Sequence, residues 1–176
     1  FSRKMDLATI DVKNGNWNRK KYTLNEVYNK TLGLIGIGEI SVRLALRAKA
    51  LGMSVIGYDP FVPPYEFVIS DVGVQLQTYE DVLSNSDFIS IHVPLNDSTR
   101  NLINTSRGGV IDEAALVEAL TSGKLAGAAL DVFEKEPPQG SPLLNLDNVI
   151  LTPHIAGLTE EAQVRTSTLV ASEVIK

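Results

Sequence analysis

Three polar residues stand where predicted strands end in the second half of the chain. Arg107 follows the letters NTS, Glu136 follows DVFEK, and His154 follows LTP. Ligands of open α/β sheets bind at the carboxyl ends of the strands. An arginine can donate two hydrogen bonds to a carboxylate, and a histidine can move a proton near neutral pH while a carboxylate orients its ring. This pattern predicts oxidation of a 2-hydroxy acid.

Each of these residues also has an ordinary structural interpretation. Arg107 could be a surface charge in a glycine loop, Glu136 could be solvated, and His154 could be a loop residue whose ring is satisfied. The remaining histidine, His92, is expected to form a wall of a cofactor pocket. Two distant histidines and no cysteine give no zinc-ligand spacing, so no metal site is predicted.

The stretch GIGEIS at residues 36–41 follows an apolar run and opens a helical pattern. Gly36 permits a tight turn, and Gly38 lets a pyrophosphate approach free N–H groups at a helix N-terminus. The third small position, which favours close packing of helix on strand, holds Ser41. A G-x-G pattern alone is weak evidence, because a strand–helix–strand unit can leave its sheet edge unused.

Asp59 strengthens the prediction of a dinucleotide site. It lies 21 residues beyond Gly38, at the end of the second predicted strand, where a carboxylate can accept hydrogen bonds from ribose hydroxyls. Because it would repel a 2′-phosphate, NAD is favoured over NADP. The predicted cofactor-binding residues of this part of the chain are Gly36, Gly38, Glu39, Ile40 and Asp59.

Strands and helices alternate along the chain, which predicts an α/β fold with a doubly wound, Rossmann-type parallel sheet and helices on both faces. Strands are predicted within residues 32–37, 53–59, 73–76, 87–94, 102–109, 125–133 and 148–154. Helices are predicted within 39–52, 78–86, 112–124 and 159–176. The whole chain is predicted to be one domain, with residues 1–30 as a leading arm and 31–176 as the core and C-terminal helix.

Local signals set the expected helix boundaries and faces. The first helix of the core is predicted to bury Ile40, Leu44, Ala48 and Leu51 and to end at Gly52. The next two helices have Thr78 and Asp112 as their predicted N-caps. The strand in 125–133 is small and apolar enough that both of its faces are expected to be buried.

The connection between Val93 and Leu102 is too short for this topology. Only eight residues separate the two, whereas a crossover between parallel neighbours needs about a dozen or more. We therefore expect that a helix is missing there, or that the two strands are not parallel neighbours.

Composition narrows the class of protein. Apolar residues make up 44% of the 176, charged residues 21%, and the net charge is −5. Basic residues cluster only in NRKKY at 18–22, so a nucleic-acid partner is not expected. No apolar run reaches the roughly 18–20 residues of a membrane span, and no signal peptide is visible, so a cytoplasmic protein without a membrane partner is expected. Because the first residue is Phe1, a piece of a longer protein is also expected.

Seven segments together resemble the NAD-binding domain of the D-isomer-specific 2-hydroxyacid dehydrogenases. They are NGNWNR, KTLGLIGIGEIS, LGMSVIGYDP, SDFISIHVPL, NTSRGGVIDEAALVEAL, LAGAALDVFEKEP and NVILTPHIAGLTEEA. The resemblance implies that Arg107, Glu136 and His154 are the catalytic residues, with Glu136 as the partner of His154 and Arg107 on the substrate carboxylate. It implies a 2-hydroxy or 2-oxo acid as substrate, with 3-phosphoglycerate as the first guess.

The resemblance also implies the surroundings of the cofactor and of the domain. Asp131 should hold the nicotinamide carboxamide, and Pro94, Thr105 and Gly157 should lie near NAD. A homodimer joined through this domain is expected. The family's substrate domain comes from segments outside this chain, and the family carries a further helix and strand before TSRGG.

This sequence departs from the family in the glycine loop. Glu39 stands where arginine is frequent, and Ser41 stands where glycine is usual. The sequence therefore predicts that Glu39→Arg combined with Ser41→Gly tightens NAD binding. Two alternatives to the enzyme remain open: an NAD-sensing regulatory module similar to the related corepressors, and an isolated NAD-binding domain without catalysis.

Overall fold

The computed structural model describes residues 4–63, 71–94 and 111–174. The chain divides into two compact units, residues 1–93 and residues 94–176. The predicted strand in 102–109 and the short connection before it lie outside the described residues. The assignment of the chain to one domain stays a prediction.

A helix that the sequence did not predict lies in the leading arm. Helix α1 spans Met5–Lys13, and a 3₁₀ helix follows at Arg19–Tyr22. The carboxylate of Asp11 accepts hydrogen bonds from Lys21 Nζ at 2.7 Å and from the Tyr22 hydroxyl at 2.6 Å. Helix α1 buries none of its residues.

The first unit contains a four-stranded parallel sheet. Its strands are β1 (Thr31–Ile35), β2 (Ser54–Tyr58), β3 (Gln75–Leu76) and β4 (Phe88–Ile91). Their order is β3-β2-β1-β4, and every neighbouring pair is parallel. The chain therefore moves outward from β1 to β3 and returns to the other side of β1. The strand order reverses between β1 and β4, and such a reversal opens a ligand-binding crevice at the carboxyl ends of the strands.

Two helices, α2 (Glu39–Ala50) and α3 (Tyr79–Asn85), pack with the strands of this sheet. Leu32 and Leu34 of β1 share one apolar cluster with α2, whereas Ile35 shares a second cluster with Val82 of α3. Because successive side chains of a strand point to opposite faces, these clusters lie on opposite sides of β1. Helices on both faces explain why β1 is buried almost along its full length.

The predicted buried face of α2 is wrong for two of its four residues. Ile40 is 68% exposed and Leu51 is 59% exposed. The buried residues of α2 are instead Ser41, Ala45 and Ala48. They recur at i, i+4 and i+7, and their small side chains let the helix backbone approach the sheet closely.

The helix boundaries agree with the sequence signals. Gly52, with a φ of +79°, follows Leu51, the C-cap of α2. The Thr78 hydroxyl accepts a hydrogen bond from the Asp81 N–H at the start of α3. In the second unit, Asp112 accepts from the Ala115 N–H at 2.9 Å and begins the next helix as predicted.

The described part of the second unit contains a two-stranded parallel sheet and two α-helices. Its elements are α4 (Glu113–Thr121), β5 (Ala128–Leu130), a 3₁₀ helix (Pro142–Asn145), β6 (Val149–Leu151) and α5 (Glu160–Val174). Strands β5 and β6 pair in parallel. The buried core of this unit is formed by Ile111, Leu116, Leu120, Leu130, Phe133 and Leu143.

Strand β5 is shorter and more open than the sequence predicted. It covers three residues of the predicted 125–133, and Ala129 is exposed, so the expectation of two buried faces is wrong. Within the described part of the chain β5 pairs with β6 alone. The strand ends where Asp131 turns its carboxylate toward the loop after β6. No helix in the described ranges is long and apolar enough to cross a membrane.

Candidate functional site

The glycine loop lies at the point where the strand order reverses. Gly36 follows β1 with a φ of +85°, a conformation that side chains with a Cβ rarely adopt. A Cβ at this position would lie 2.8 Å from the His92 carbonyl oxygen and 2.8 Å from Val93 Cγ1. Gly36 is therefore required by a close approach between the ends of β1 and β4, and that approach puts His92 beside the loop.

The second glycine of the loop, Gly38, faces open space. Gly38 is the N-cap of α2, and a Cβ built there would meet no atom within 4 Å. None of the described side chains caps the first turn of α2, and Gly38, Glu39 and Ile40 are exposed. The first N–H groups of a helix lack partners within the helix and carry positive partial charge. This helix start therefore fits an anionic group such as a pyrophosphate.

Asp59 follows β2 and binds two stretches of backbone. Its Oδ2 accepts from the Ile37 N–H at 2.8 Å, and its Oδ1 accepts from the Phe61 N–H at 2.9 Å. An ionised carboxylate offers about four lone-pair sites, so two further acceptor positions remain. The predicted acceptor of ribose hydroxyls thus stands beside the glycine loop, already oriented by backbone contacts.

Ser41 and Glu39, the two residues that differ from the expected loop sequence, both interact with groups nearby in the chain. Ser41 is fully buried, and its hydroxyl donates to the Gly36 carbonyl at 2.6 Å. Glu39 is exposed and pairs with Arg43 one turn later. The Glu39 charge is therefore partly balanced on the helix surface.

His92, the predicted pocket wall, is partly buried after β4. Its Nε2 lies 2.9 Å from the Ser90 hydroxyl oxygen. Burial lowers the pKa of His92, so its ring is neutral at neutral pH. A neutral, half-buried ring suits a wall better than a proton carrier. Pro94, predicted to lie near the cofactor, is exposed two residues later.

In the second unit the structure brings Glu136 and His154 together. His154 Nδ1 lies 3.0 Å from Glu136 Oε2, and Glu136 Oε1 accepts from the Phe133 N–H at 3.1 Å. The hydrogen bond with His154, and to a smaller extent that from the Phe133 N–H, lowers the pKa of Glu136. Its carboxylate therefore stays ionised at neutral pH. His154 has a φ of +56°, in the left-handed region, and its side chain is 64% exposed.

Asp131 holds the loop that carries His154. Its Oδ1 accepts from the Thr152 hydroxyl and from the Ile155 N–H at 2.8 Å, and its Oδ2 accepts from the Ala156 N–H at 2.8 Å. Burial acts to raise the pKa of Asp131, but these hydrogen bonds outweigh it and the pKa is lowered. An ionised carboxylate thus fixes both backbone amides that follow His154.

The segment that carries Glu136 is fixed to the start of α4. The Glu113 N–H donates to Glu134 Oε1 at 3.1 Å, and the Glu134 N–H donates to Glu113 Oε1 at 2.7 Å. The Ser141 hydroxyl lies 3.3 Å from Glu113 Oε2. These contacts secure the backbone on both sides of Glu136.

Two of the predicted site residues, Thr105 and Arg107, lie outside the described residues. Gly157 is exposed, and a Cβ there would meet no atom within 4 Å. Sequence reasoning missed Thr152, whose hydroxyl bonds to Asp131; its position two residues before the histidine was the available signal. No group of three or more metal-binding side chains is placed to hold a metal ion in the ranges that the structure describes.

A family model described as "D-isomer specific 2-hydroxyacid dehydrogenase, NAD binding domain" matches residues 1–156. The chain belongs to this family. As the family's NAD-binding domain it takes NAD as cofactor, and the fit of the glycine loop to an anionic group agrees. The resemblance and the Rossmann-type fold inferred from the sequence are confirmed.

Curated relatives include D-3-phosphoglycerate dehydrogenases. That of Methanocaldococcus jannaschii is 46% identical over 191 residues, which cover 99% of this chain and 36% of the relative. The hydroxypyruvate reductase of Thermotoga maritima is 42% identical over 99% of this chain and 61% of the relative. This chain thus spans about a third of the length of the first relative.

The alignment with the first relative also bears on the short connection after β4. It runs over 191 positions against 176 residues here, so at least 15 positions have no counterpart in this chain. A helix missing after β4 stays a prediction. Among solved structures, a glyoxylate reductase from Paecilomyes thermophila has a TM-score of 0.86 at 35% identity, covering 98% of this chain and 56% of that one.

Proposed function

We propose that the protein is an NAD-dependent oxidoreductase that transfers a hydride between a D-2-hydroxy acid and the nicotinamide. The observation that carries this proposal is the contact between His154 and Glu136, on a loop fixed by Asp131. The first substrate to test is 3-phosphoglycerate, because relatives 40–46% identical to this chain are named D-3-phosphoglycerate dehydrogenases.

His154 is the proposed acid–base residue. With Glu136 accepting the proton on Nδ1, the Nε2 atom is left to take the proton of the substrate hydroxyl. When bound, NAD would supply the hydride acceptor for the carbon that bears this hydroxyl, and the substrate would become the 2-oxo acid. Ionised Glu136 stabilises the imidazolium that forms and keeps the ring in one orientation. In the reverse direction the same imidazolium returns the proton.

The other site residues bind and orient. Arg107 is proposed to hold the substrate carboxylate, which a guanidinium can bind with two parallel hydrogen bonds. Asp59 is proposed to accept from the ribose hydroxyls, and its charge would repel a 2′-phosphate, which favours NAD over NADP. Pro94, Thr105 and Gly157 are proposed to line the cofactor site.

The test is NADH formation by the complete protein with a panel of D-2-hydroxy acids that includes 3-phosphoglycerate. Turnover is expected with the D- but not the L-isomers, and with NAD⁺ in preference to NADP⁺. Clear NAD⁺ binding with no turnover on any member of the panel would contradict the enzyme and favour the regulatory module.

We also propose a cytoplasmic homodimer. Exposed apolar side chains in the leading arm, including Met5, Ile10 and Trp17, supply a surface suited to burial against a second copy. Light scattering of the purified protein is expected to give twice the chain mass, and a monomer at all concentrations would contradict this assembly.

A further inference from the structure

One peptide group in the glycine loop is held at both of its polar atoms. The carbonyl oxygen of Gly36 accepts from the Ser41 hydroxyl at 2.6 Å, and the N–H of Ile37 donates to Asp59 Oδ2 at 2.8 Å. These two atoms belong to the same planar peptide unit. Ser41, in the first turn of α2, and Asp59, after β2, therefore both form hydrogen bonds with this one peptide unit.

The surroundings leave this peptide little freedom. Gly36, Ile37 and Ser41 are all buried, and the Ile37 side chain is part of the apolar core of the first unit. The Gly36 N–H donates to the Tyr58 carbonyl at 2.9 Å, so the preceding peptide is fixed as well. Rotation of the Gly36–Ile37 peptide would break both side-chain contacts and leave buried polar groups unsatisfied.

We infer that Ser41 is a positioning residue for the cofactor, acting through the Gly36–Ile37 peptide to hold the start of α2 in its binding geometry. Glu39 and Ile40 are exposed and are separated from this peptide by Gly38 alone, so holding the peptide restricts the orientation of their amides. A serine at this position thus replaces the flexibility of a third glycine with a fixed contact. The inference rests on the proposed binding of NAD, which it deepens by assigning a residue that prepares the loop.

Preorganisation explains why this contact bears on affinity. A loop that already has its bound shape loses less conformational freedom when a ligand binds. A single hydrogen bond of this kind is worth about 2- to 10-fold in an equilibrium constant. Under this inference Ser41→Gly is expected to weaken NAD binding, whereas the sequence alone predicted tighter binding when this change is combined with Glu39→Arg.

The test compares Ser41→Ala and Ser41→Gly with the unchanged protein by calorimetry of NAD⁺ binding. Both variants are expected to bind NAD⁺ about 2- to 10-fold more weakly, and in turnover assays KM for NAD⁺ is expected to rise while kcat stays within about 2-fold. Ser86→Ala is the matched control, because the Ser86 hydroxyl also donates to a carbonyl at 2.6 Å, that of Val82. It is expected to alter stability without altering NAD⁺ affinity.

A second measurement needs no cofactor. Hydrogen exchange of the Ile37 amide, followed by NMR, is expected to accelerate in Ser41→Ala and to stay unchanged in Ser86→Ala. Because Ser41 and Asp59 hold one peptide, Asp59→Ala is expected to accelerate the same amide, and the effects of the two changes on NAD⁺ affinity should not add.

The outcomes separate this inference from the proposed function. Unchanged or tighter NAD⁺ binding by Ser41→Ala, or unchanged protection of Ile37, would overturn the role of Ser41 while leaving the dehydrogenase proposal intact. If the unchanged protein binds no NAD⁺, the proposed function fails, and with it the role of Ser41 in cofactor binding.

Discussion

Two loops of this chain, one in each unit, are each held by an aspartate that follows a parallel strand, but they present different chemistry. Asp59, after β2, accepts backbone N–H bonds from Ile37 and Phe61. Asp131, after β5, accepts them from Ile155 and Ala156. The first loop leaves backbone amides exposed at a helix start, whereas the second projects the ring of His154.

This difference shows where substitutions can be tolerated. A ligand bound by backbone amides requires a backbone shape, and Ser41 and Glu39 can replace more usual residues when their side chains find partners nearby. A reaction that depends on one imidazole requires that side chain itself. Changes in the first loop should therefore alter affinity, and changes in the second should alter turnover.

The largest expected effect comes from His154→Gln. Loss of the proton carrier is expected to lower kcat by about 10²- to 10⁴-fold, the usual range for a positioned general base. Affinity for NAD⁺ should stay within about 2-fold, because a loop held by Asp131 keeps its backbone shape. Steady-state assays and calorimetry measure the two quantities, and near-normal turnover would remove the assignment of His154.

Asp131→Asn should have the next largest effect. The new amide group faces a backbone N–H where a carboxylate oxygen accepted one, so the loop around His154 loses at least one contact. Unfolding in urea is expected to show a loss of about 1–3 kcal/mol, with lower turnover. Asp147→Asn, at an exposed aspartate in the same unit, is the control for the change in charge. Equal effects of both variants would refute a specific role for Asp131.

The second loop should contribute to the pH dependence of stability. The folded-state pKa values of Asp131 and Glu136 are lowered, so their stabilisation is complete above the ordinary carboxyl pKa and is lost as the pH falls through the lowered values. The urea midpoint should fall between about pH 7 and about pH 3, and this fall should be smaller for Glu136→Gln than for the unchanged protein. An equal difference would show that the contact between Glu136 and His154 does not contribute.

Glu39→Arg should have the smallest effect. The exposed pair of Glu39 and Arg43 contributes little to stability, and an added positive charge near the helix start favours an anion. Affinity for NAD⁺ is expected to rise by about 2-fold at low salt and to return to normal at high salt, because exposed charges are screened. Tightening that persists at high salt would mean a direct contact instead.

The elements of the fold were largely predictable because their signals are local. Gly52 ended a helix and Thr78 and Asp112 began helices as expected, since each of these residues acts within its own turn. The buried face of α2 was not predictable from hydrophobicity. Close packing on the sheet favoured small residues, so Ser41 was buried while Ile40 remained exposed.

The residue types of the candidate site could be predicted from the sequence, but the contacts between these residues could not. Histidine and glutamate at strand ends suggested a pair, and the structure places them 3.0 Å apart. Asp59 also accepts a hydrogen bond from the Ile37 N–H, and this contact joins residues 22 positions apart. No spacing in the sequence distinguishes such a contact from a free carboxylate awaiting a ligand.

The crosswise bonding of Glu113 and Glu134 has a consequence for how the second unit opens. Each glutamate satisfies the backbone amide of the other, so neither segment can detach without exposing a donor and a carboxylate on both sides. The start of α4 and the segment that carries Glu136 should therefore separate only as a cooperative event. Local unfolding at Glu113, 21 residues before Glu134, is therefore expected to release the segment that carries Glu136, the partner of His154.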